Sequence, residues 1–411
     1  MSSLQPSHTV VIVGGGQAAG ETASELRKQG FEGRVVIVSD ESQPPYKRPP
    51  LSKAYLAGAV EQAQLFVMQP SILEKHRIEF MGGARVASID RVGQAVVLAD
   101  GQRFTYDRLV LATGGRARPL PIPGADAANV FLLRSIDDVT RIRARCAEGK
   151  RVVIVGGGFI GLEVAAVLLK QGLHVTVLEG LDRVLARVTA PEVSAFFERV
   201  HREAGVTVHT GAQVAELVGA PEVTAVKLAD GREIVADFVI AGIGLIANTE
   251  LAAEAGLVVD NGIVVDEFAQ TSDPLIYAAG DCTNHPSAFL GRRVRLESVQ
   301  NAMEQGRAVA RNLMGNTEAY QNVPWFWSDQ FDLKLQMVGI STGYEQLVLR
   351  GDPQTERSFA AFYLKGGKLV AADAVSRPKD FMFAKKLVAA GAVVDPAVLA
   401  DPEASLKDLA V

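Results

Sequence analysis

Cysteine is scarce in this sequence: 411 residues carry two, Cys146 and Cys282, far apart and in neither a C-x-x-C nor a C-x-x-x-x-C arrangement. That spacing excludes a built-in redox dithiol and leaves a small buried side chain as the expected state of both thiols. The six histidines show no ligand spacing, and neither H-E-x-x-H nor G-x-S-x-G occurs, so metallohydrolase and serine-hydrolase readings have no support. No apolar run reaches the roughly 18 residues of a membrane span. Met1 to His8 lacks the charged and apolar regions of a signal peptide, so a cytoplasmic protein with no membrane partner is expected. Basic residues are outnumbered 42 to 47, a net charge of −5, which argues against general nucleic-acid binding. The balance of 48% hydrophobic and 22% charged residues is that of a soluble globular chain. Its length predicts two or three domains.

Glycine, by contrast, is placed with purpose. Val10-Val11-Ile12-Val13-Gly14-Gly15-Gly16-Gln17-Ala18-Ala19 and, roughly 140 residues later, Val152-Val153-Ile154-Val155-Gly156-Gly157-Gly158-Phe159-Ile160-Gly161 each run from an apolar stretch through a tight turn into a helical pattern. This is the order of a dinucleotide-binding βαβ unit. The first glycine makes the turn, the second lets backbone approach a pyrophosphate, and the third allows helix and strand to pack closely, with helix N–H groups facing the anion. Two such turns imply two dinucleotides and electron transfer between them.

Each unit continues on the same plan. The first predicts a helix over Ala18–Gln29, strands at Arg34–Val38, Ala84–Ile89 and Ala95–Ala99, and a strand from Arg108 closing on Ala112-Thr113-Gly114. The second predicts a helix over Ile160–Gln171, a strand at His174–Glu179, and a strand from Phe238 closing on Gly242-Ile243-Gly244. Between strands of the first unit, the Pro44–Pro50 stretch can continue neither sheet nor helix and must be held by other contacts. A helix is expected over Ser298–Met314. Beyond Tyr320, strands at Leu333–Val338, Gln346–Arg350, Phe359–Leu364 and Lys368–Ala372, with helices near Lys379–Ala390 and Pro396–Ala400, read as a separate α+β domain.

Glu179 ends the second strand of the second unit, about 18 residues past Gly161, where an acid bonds both hydroxyls of an adenosine ribose and repels a 2′-phosphate. NADH is therefore expected over NADPH, although Arg183 and Arg187 just beyond could hold a phosphate. In the first unit Ala19 replaces the third glycine and Ser39 falls opposite Glu179, leaving Asp40, Glu41 or the Ser39 backbone as alternatives for the ribose.

Pro49-Pro50-Leu51-Ser52-Lys53, Gly280-Asp281, Glu297-Ser298-Val299-Gln300-Asn301-Ala302 and Trp325-Phe326-Trp327-Ser328-Asp329-Gln330 together resemble the FAD-dependent ferredoxin reductases of the putidaredoxin reductase and biphenyl dioxygenase type, nearly end to end. The resemblance implies an α/β, glutathione-reductase-like fold with two Rossmann-type domains and a C-terminal α+β domain. FAD would be held by 1–117 and 247–322, NAD by 118–246, with 323–411 forming the reductase C-terminal domain. It implies hydride transfer from NADH to FAD, then single electrons passed to a [2Fe–2S] ferredoxin that serves a cytochrome P450 or a Rieske oxygenase. For FAD it implies Gly14, Gly16, Ala18, Ala19, Ser39, Asp40, Arg48, Lys53, the Val86 backbone, Ala112, Thr113, Gly114, Arg134, Asp281, Val299 and Trp327. For NAD it implies Gly156, Gly158, Phe159, Ile160, Gly161, Glu163, Glu179, Arg187, Gly242, Ile243 and Gly244.

Lys53, Glu163 and Trp327 would stand at the reacting centre, Glu163 paired with Lys53 and Trp327 on the side from which electrons leave. Arg292, Arg293, Arg295, Arg307, Arg311 and Lys334 could steer an acidic ferredoxin or form a solvated charge run. The oligomeric state is left between monomer and dimer. A rubredoxin reductase and a binding or signalling flavoprotein of the apoptosis-inducing-factor type are the alternative readings.

Overall fold

Val10 to Val13 offers water no polar face, and a strand of that kind is stable only when both faces of its sheet are covered. The computed structural model, which describes residues 4–407 and 409, places it so. Thr9–Val13 is the central strand of a five-stranded parallel sheet ordered Ile276–Ala278, Arg108–Leu111, Thr9–Val13, Arg34–Val38, Ile78–Met81. Val10, Ile12, Val35, Ile37 and Val110 pack beneath Ala19, Ala23 and Leu26 of one helix and Val309, Ala310 and Leu313 of another. Val11, Val13, Val36, Val38, Leu109 and Leu111 meet Val96, Leu98 and Phe104 of a three-stranded antiparallel sheet on the other side. The two helices, Gln17–Lys28 and Val299–Leu313, touch backbone to backbone at Gly306, whose carbonyl accepts from Thr22 Oγ1 (3.1 Å). All of this lies in one compact unit, formed by residues 1–47, 62–116 and 246–324.

A second unit comprises residues 48–61, 117–245 and 325–411. It repeats the plan with the parallel order Thr207–His209, His174–Leu178, Arg151–Val155, Phe238–Ala241, Val130–Leu132. Here too one face packs on a three-stranded antiparallel sheet, through Leu217, Val226 and Leu228. It also contains a five-stranded antiparallel sheet, Trp325–Gln330, Leu333–Gly339, Lys368–Val375, Phe359–Lys365, Gln346–Arg350, with the Pro378–Ala390 helix after it.

The expected helices and strands fall within one or two residues of the observed ones, except that the first antiparallel strand starts later, at Val86, and the last strand runs on to Val375. Trp325–Gln330 is an edge strand that the sequence pattern does not announce, because its burial runs against polarity. Ser328 and Gln330 are buried while Trp325 and Trp327 are partly exposed. The helices Ile136–Arg143 and Pro191–Ala204 also go unpredicted. The first carries a complete capping box, Ser135 with Asp138, which was there to be read.

Gly156 has φ +115, and Gly161 sits so close to it that an added Cβ would come 2.0 Å from the Gly156 carbonyl oxygen. Gly158 is the opposite case, extended at φ −80 and ψ −177, with nothing within 4 Å of an added Cβ. Gly161→Ala should therefore lower the unfolding free energy by about 1–3 kcal/mol through overpacking, despite the better helix propensity of alanine. Gly158→Ala should stay within about 0.5 kcal/mol of the parent. Urea unfolding followed by circular dichroism distinguishes the two.

Candidate active site

In the first unit, Gly14 turns at φ +116, and its α-carbon lies so close to Ala112 that a Cβ would sit 2.2 Å from the carbonyl oxygen. Ala112-Thr113-Gly114 is thereby laid against the turn, and Thr113 is tied to Asn248 by two bonds (2.7 and 2.9 Å). The helix that follows has Gly16 as N-cap, no side-chain cap and no acid in its first turn. Gly16 itself faces open space. Free N–H groups at a helix start with room before them are the donor set a pyrophosphate needs. Gly280-Asp281 stands beside Ala18, since a Cβ on Gly280 would lie 3.2 Å from that of Ala18 and 3.8 Å from that of Ala302. The turn, Asp281 and the start of the Val299–Leu313 helix therefore converge.

Ser39 is buried over Gly15. Asp40 is exposed, and the Glu41 carboxylate accepts from the Tyr46 hydroxyl. Val86 follows a short stretch that begins with Ala84 N–H donating to the Ser39 carbonyl (2.7 Å). Arg48 and Arg134 lie in the second unit, where the Arg48 guanidinium donates to the Arg134 carbonyl (2.5 Å).

In the second unit the same cradle recurs. Gly158 is an uncapped N-cap, and Gly242 lies against Gly156, whose added Cβ would meet the Gly242 oxygen at 2.4 Å. Ile243 is partly buried and Gly244 exposed at φ +110. Glu179 occupies the position over Gly157 that Ser39 has over Gly15, and its carboxylate accepts from Gly157 N–H (2.7 Å) and Leu181 N–H (2.8 Å). Arg187 is exposed. Arg183 is spent locally on the carbonyls of Ala186 and Thr189 and the Ser194 hydroxyl.

Glu163 is 2% exposed, on the helix face turned inward, so it is no solvated helix charge. Its Oε2 accepts from Lys53 Nζ (2.6 Å) and Ser52 Oγ (2.5 Å), and its Oε1 accepts from Ser328 Oγ (2.6 Å). Ser328 Oγ in turn accepts from Gln330 Nε2 (3.2 Å), and Gln330 Oε1 is 2.9 Å from His201 Nε2. With the amide oriented this way His201 is neutral and protonated at Nε2. Burial pushes its pKa down to about 4, against a smaller opposing pull from Gln330.

The sequence does not mark Ser52, Ser328, Gln330 or His201 as site residues. Only the two-residue spacing of Ser328 and Gln330 could have hinted at a shared strand face. Phe159 stacks on Phe326 at 4.7 Å, beside an exposed Ile160. Trp327 is on the opposite strand face from Ser328, partly exposed, with Trp325 5.7 Å away and Lys385 over the Trp325 ring.

Most of the expected basic cluster is matched by acids. Arg295 pairs with Glu297, Arg307 with Glu21 and Arg311 with Glu318, while Lys334 sits 3.9 Å from Asp329. Arg293 is bonded to Asn284 and the Val265 carbonyl, so the set is no bare positive patch. Both cysteines are free. Cys282 is buried with its thiol on backbone carbonyls, and burial pushes the Cys146 pKa up to about 11. No cluster able to hold a metal occurs among the described residues, and none of their helices is long and apolar enough to cross a membrane.

Residues 8–306 match the family of pyridine nucleotide-disulphide oxidoreductases, and residues 325–410 match the reductase C-terminal family. The chain is 47% identical over 412 residues to putidaredoxin reductase CamA of Pseudomonas putida, covering 99% of this chain and 97% of that protein. It is 45% identical over 407 residues to the ferredoxin reductase subunit of a 5,5′-dehydrodivanillate O-demethylase from a Sphingobium, covering 98% of each. The fold superposes on the reductase in the crystal structure of the covalent putidaredoxin reductase–putidaredoxin complex with a TM-score of 0.95, at 47% identity and over 98% of both chains.

Neutral His201 makes acid costly. The folded pKa of about 4 lies below the unfolded value near 6.5, so the unfolded chain binds more protons between these values and stability is lost as pH falls through that window. The loss is on the order of 3 kcal/mol when complete. His201→Gln keeps a donor for Gln330 and should flatten the part of the slope due to this residue. Denaturation midpoints measured from pH 7 to 4 check this, with His285, also pushed down to about 4, retaining its own contribution.

Proposed function

The chain belongs to the pyridine nucleotide-disulphide oxidoreductase family, and from that premise we propose that it is an FAD-dependent NADH:ferredoxin reductase. It delivers electrons to a [2Fe–2S] ferredoxin that feeds a cytochrome P450 or a Rieske oxygenase. The observation carrying this is the pair of uncapped glycine-fronted helices, with open space before Gly16 and Gly158, in a sequence without a redox dithiol. Such a protein has seats for two dinucleotides and no internal disulfide to reduce, so its electrons go to an outside acceptor.

The residues of the first unit fit FAD. Gly14, Gly16, Ala18 and Ala19 front the helix for the pyrophosphate, and the Asp281 carboxylate stands at the turn where it would accept from the hydroxyls of a ribityl chain. The start of the Val299–Leu313 helix places its positive end where reduction adds negative charge. When bound, FAD would supply two-electron acceptance and one-electron release, which no side chain here offers. The second turn, with Gly156, Gly158, Gly161 and Gly242, fits NADH, and Glu179 takes the ribose hydroxyls. Glu163 holds the Lys53 ammonium at a fixed place, a half-buried cation whose charge is matched rather than free to wander. Trp327 lines the exit side, and an acidic ferredoxin is the expected partner, with domains dividing at 1–117 with 247–322, 118–246 and 323–411.

NADH-driven cytochrome c reduction should depend on added [2Fe–2S] ferredoxin. Equal rates without it, or rates restored only by rubredoxin, count against the assignment. Glu179→Ala should narrow the preference for NADH over NADPH by about tenfold, some 1–2 kcal/mol, because its repulsion of a 2′-phosphate is gone. Comparing kcat/KM for the two nucleotides measures it.

A further inference from the structure

Asp373 is fully buried mid-strand in the antiparallel sheet of the second unit, 2% exposed, and among the described residues no cation pairs with it. A lone buried carboxylate costs stability, so its place needs another reason. What it grips is a loop. Its Oδ2 accepts from the Thr189 hydroxyl and from Tyr363 Oη (2.5 Å). Tyr363 Oη also accepts from Ala190 N–H (3.1 Å) and lies 3.1 Å from Thr189 Oγ1. Burial raises the Asp373 pKa to about 6, with the two hydroxyl bonds opposing, so at neutral pH the carboxylate is the acceptor of both.

Thr189 and Ala190 end the segment that starts at Glu179. Within it, Thr189 N–H donates to the Leu185 carbonyl (3.3 Å), and Leu185 N–H donates to the carbonyl of Gly157 (3.0 Å), the middle glycine of the second turn. Leu185 is buried at φ +54, a left-handed backbone that a leucine keeps only when its surroundings impose it. Arg183 closes the segment on itself, and Ser341 Oγ donates to the Val188 carbonyl (3.4 Å). An unbroken line of bonds thus runs from Asp373 through Thr189 and Leu185 to Gly157.

We propose that Asp373, with Tyr363 and Thr189, is a positioning element for the pyridine-nucleotide site, holding the 180–190 segment against the second glycine turn so that the turn is preset for the dinucleotide. This rests on the reading that the second turn binds NADH. The group acts through the segment and touches no nucleotide itself.

Thr189→Val keeps shape but removes the hydroxyl, and Thr189→Ser keeps the hydroxyl. Thr189→Val should raise the KM for NADH and the calorimetric Kd for NAD+ about tenfold, the effect of losing one buried bond, with kcat at saturating NADH and FAD content unchanged. Thr189→Ser should restore the parent values. Amide exchange of residues 181–189 should speed up in Thr189→Val while that of the Gly14–Ala19 turn does not. Tyr363→Phe, which keeps the ring in place, should repeat the pattern. Unchanged affinity and exchange in Thr189→Val, with Glu179→Ala still weakening NADH, overturns the coupling alone. Unchanged affinity in both variants overturns the assignment of the second turn and this proposal with it.

Discussion

The buried Glu163 carboxylate is the constraint around which the second unit is arranged. A charge with so little exposure is tolerable only if each oxygen is answered, and the answers come from separate stretches of chain: Ser52 and Lys53 from one, Ser328 from another. Removing any one leaves the others around an underbonded anion, costing about 1–3 kcal/mol per lost partner. The carboxylate therefore fixes where a loop of the proline-rich segment and the first strand of the C-terminal sheet must meet the Phe159–Lys170 helix. The same geometry fixes the Lys53 ammonium.

Behind Ser328 the polarity continues in one direction. His201 donates to Gln330, Gln330 to Ser328, and Ser328 to Glu163. Each donor is oriented by the acceptor ahead of it, and the sequence of dipoles ends on the anion. This also explains why the edge strand carries Ser328 and Gln330 inward and its tryptophans outward, the reverse of the usual alternation. The inner face is built to solvate a carboxylate, and the outer face presents aromatic surface.

What the sequence disclosed was what local physics determines. Four consecutive apolar residues before a glycine turn must be a covered parallel strand, and a helix after Gly158 must start without a cap. The Lys53–Glu163 encounter was legible only through family resemblance, because nothing in the spacing of residues 53 and 163 brings them together. His201 and Asp373 were not legible at all, and Ser328 and Gln330 only as two residues of one strand face. Polar residues of these kinds are usually exposed, and their burial here is set by strand register and by partners up to 184 positions away, as between Thr189 and Asp373. The basic cluster shows the converse. Adjacent arginines read as a positive patch, yet acids brought in by the fold, Glu21 among them, match most of the charge.

The two glycine turns share one plan and are braced differently. In the first unit the brace is a 15-residue helix. Gly306 lets it lie directly on the Gln17–Lys28 helix, and Gln305 Oε1 accepts from Gly280 N–H and Thr283 Oγ1 to hold the adjoining turn. A helix packed backbone to backbone yields little, because every residue of its contact face would have to move together. In the second unit the turn is held by a loop, itself pinned by hydroxyls on one buried carboxylate. Such a brace opens by breaking a few hydrogen bonds, at a cost far below that of unpacking a helix. Under the proposed assignment the stiff brace serves the group that stays bound through every cycle, and the hydrogen-bonded one serves the nucleotide that must enter and leave.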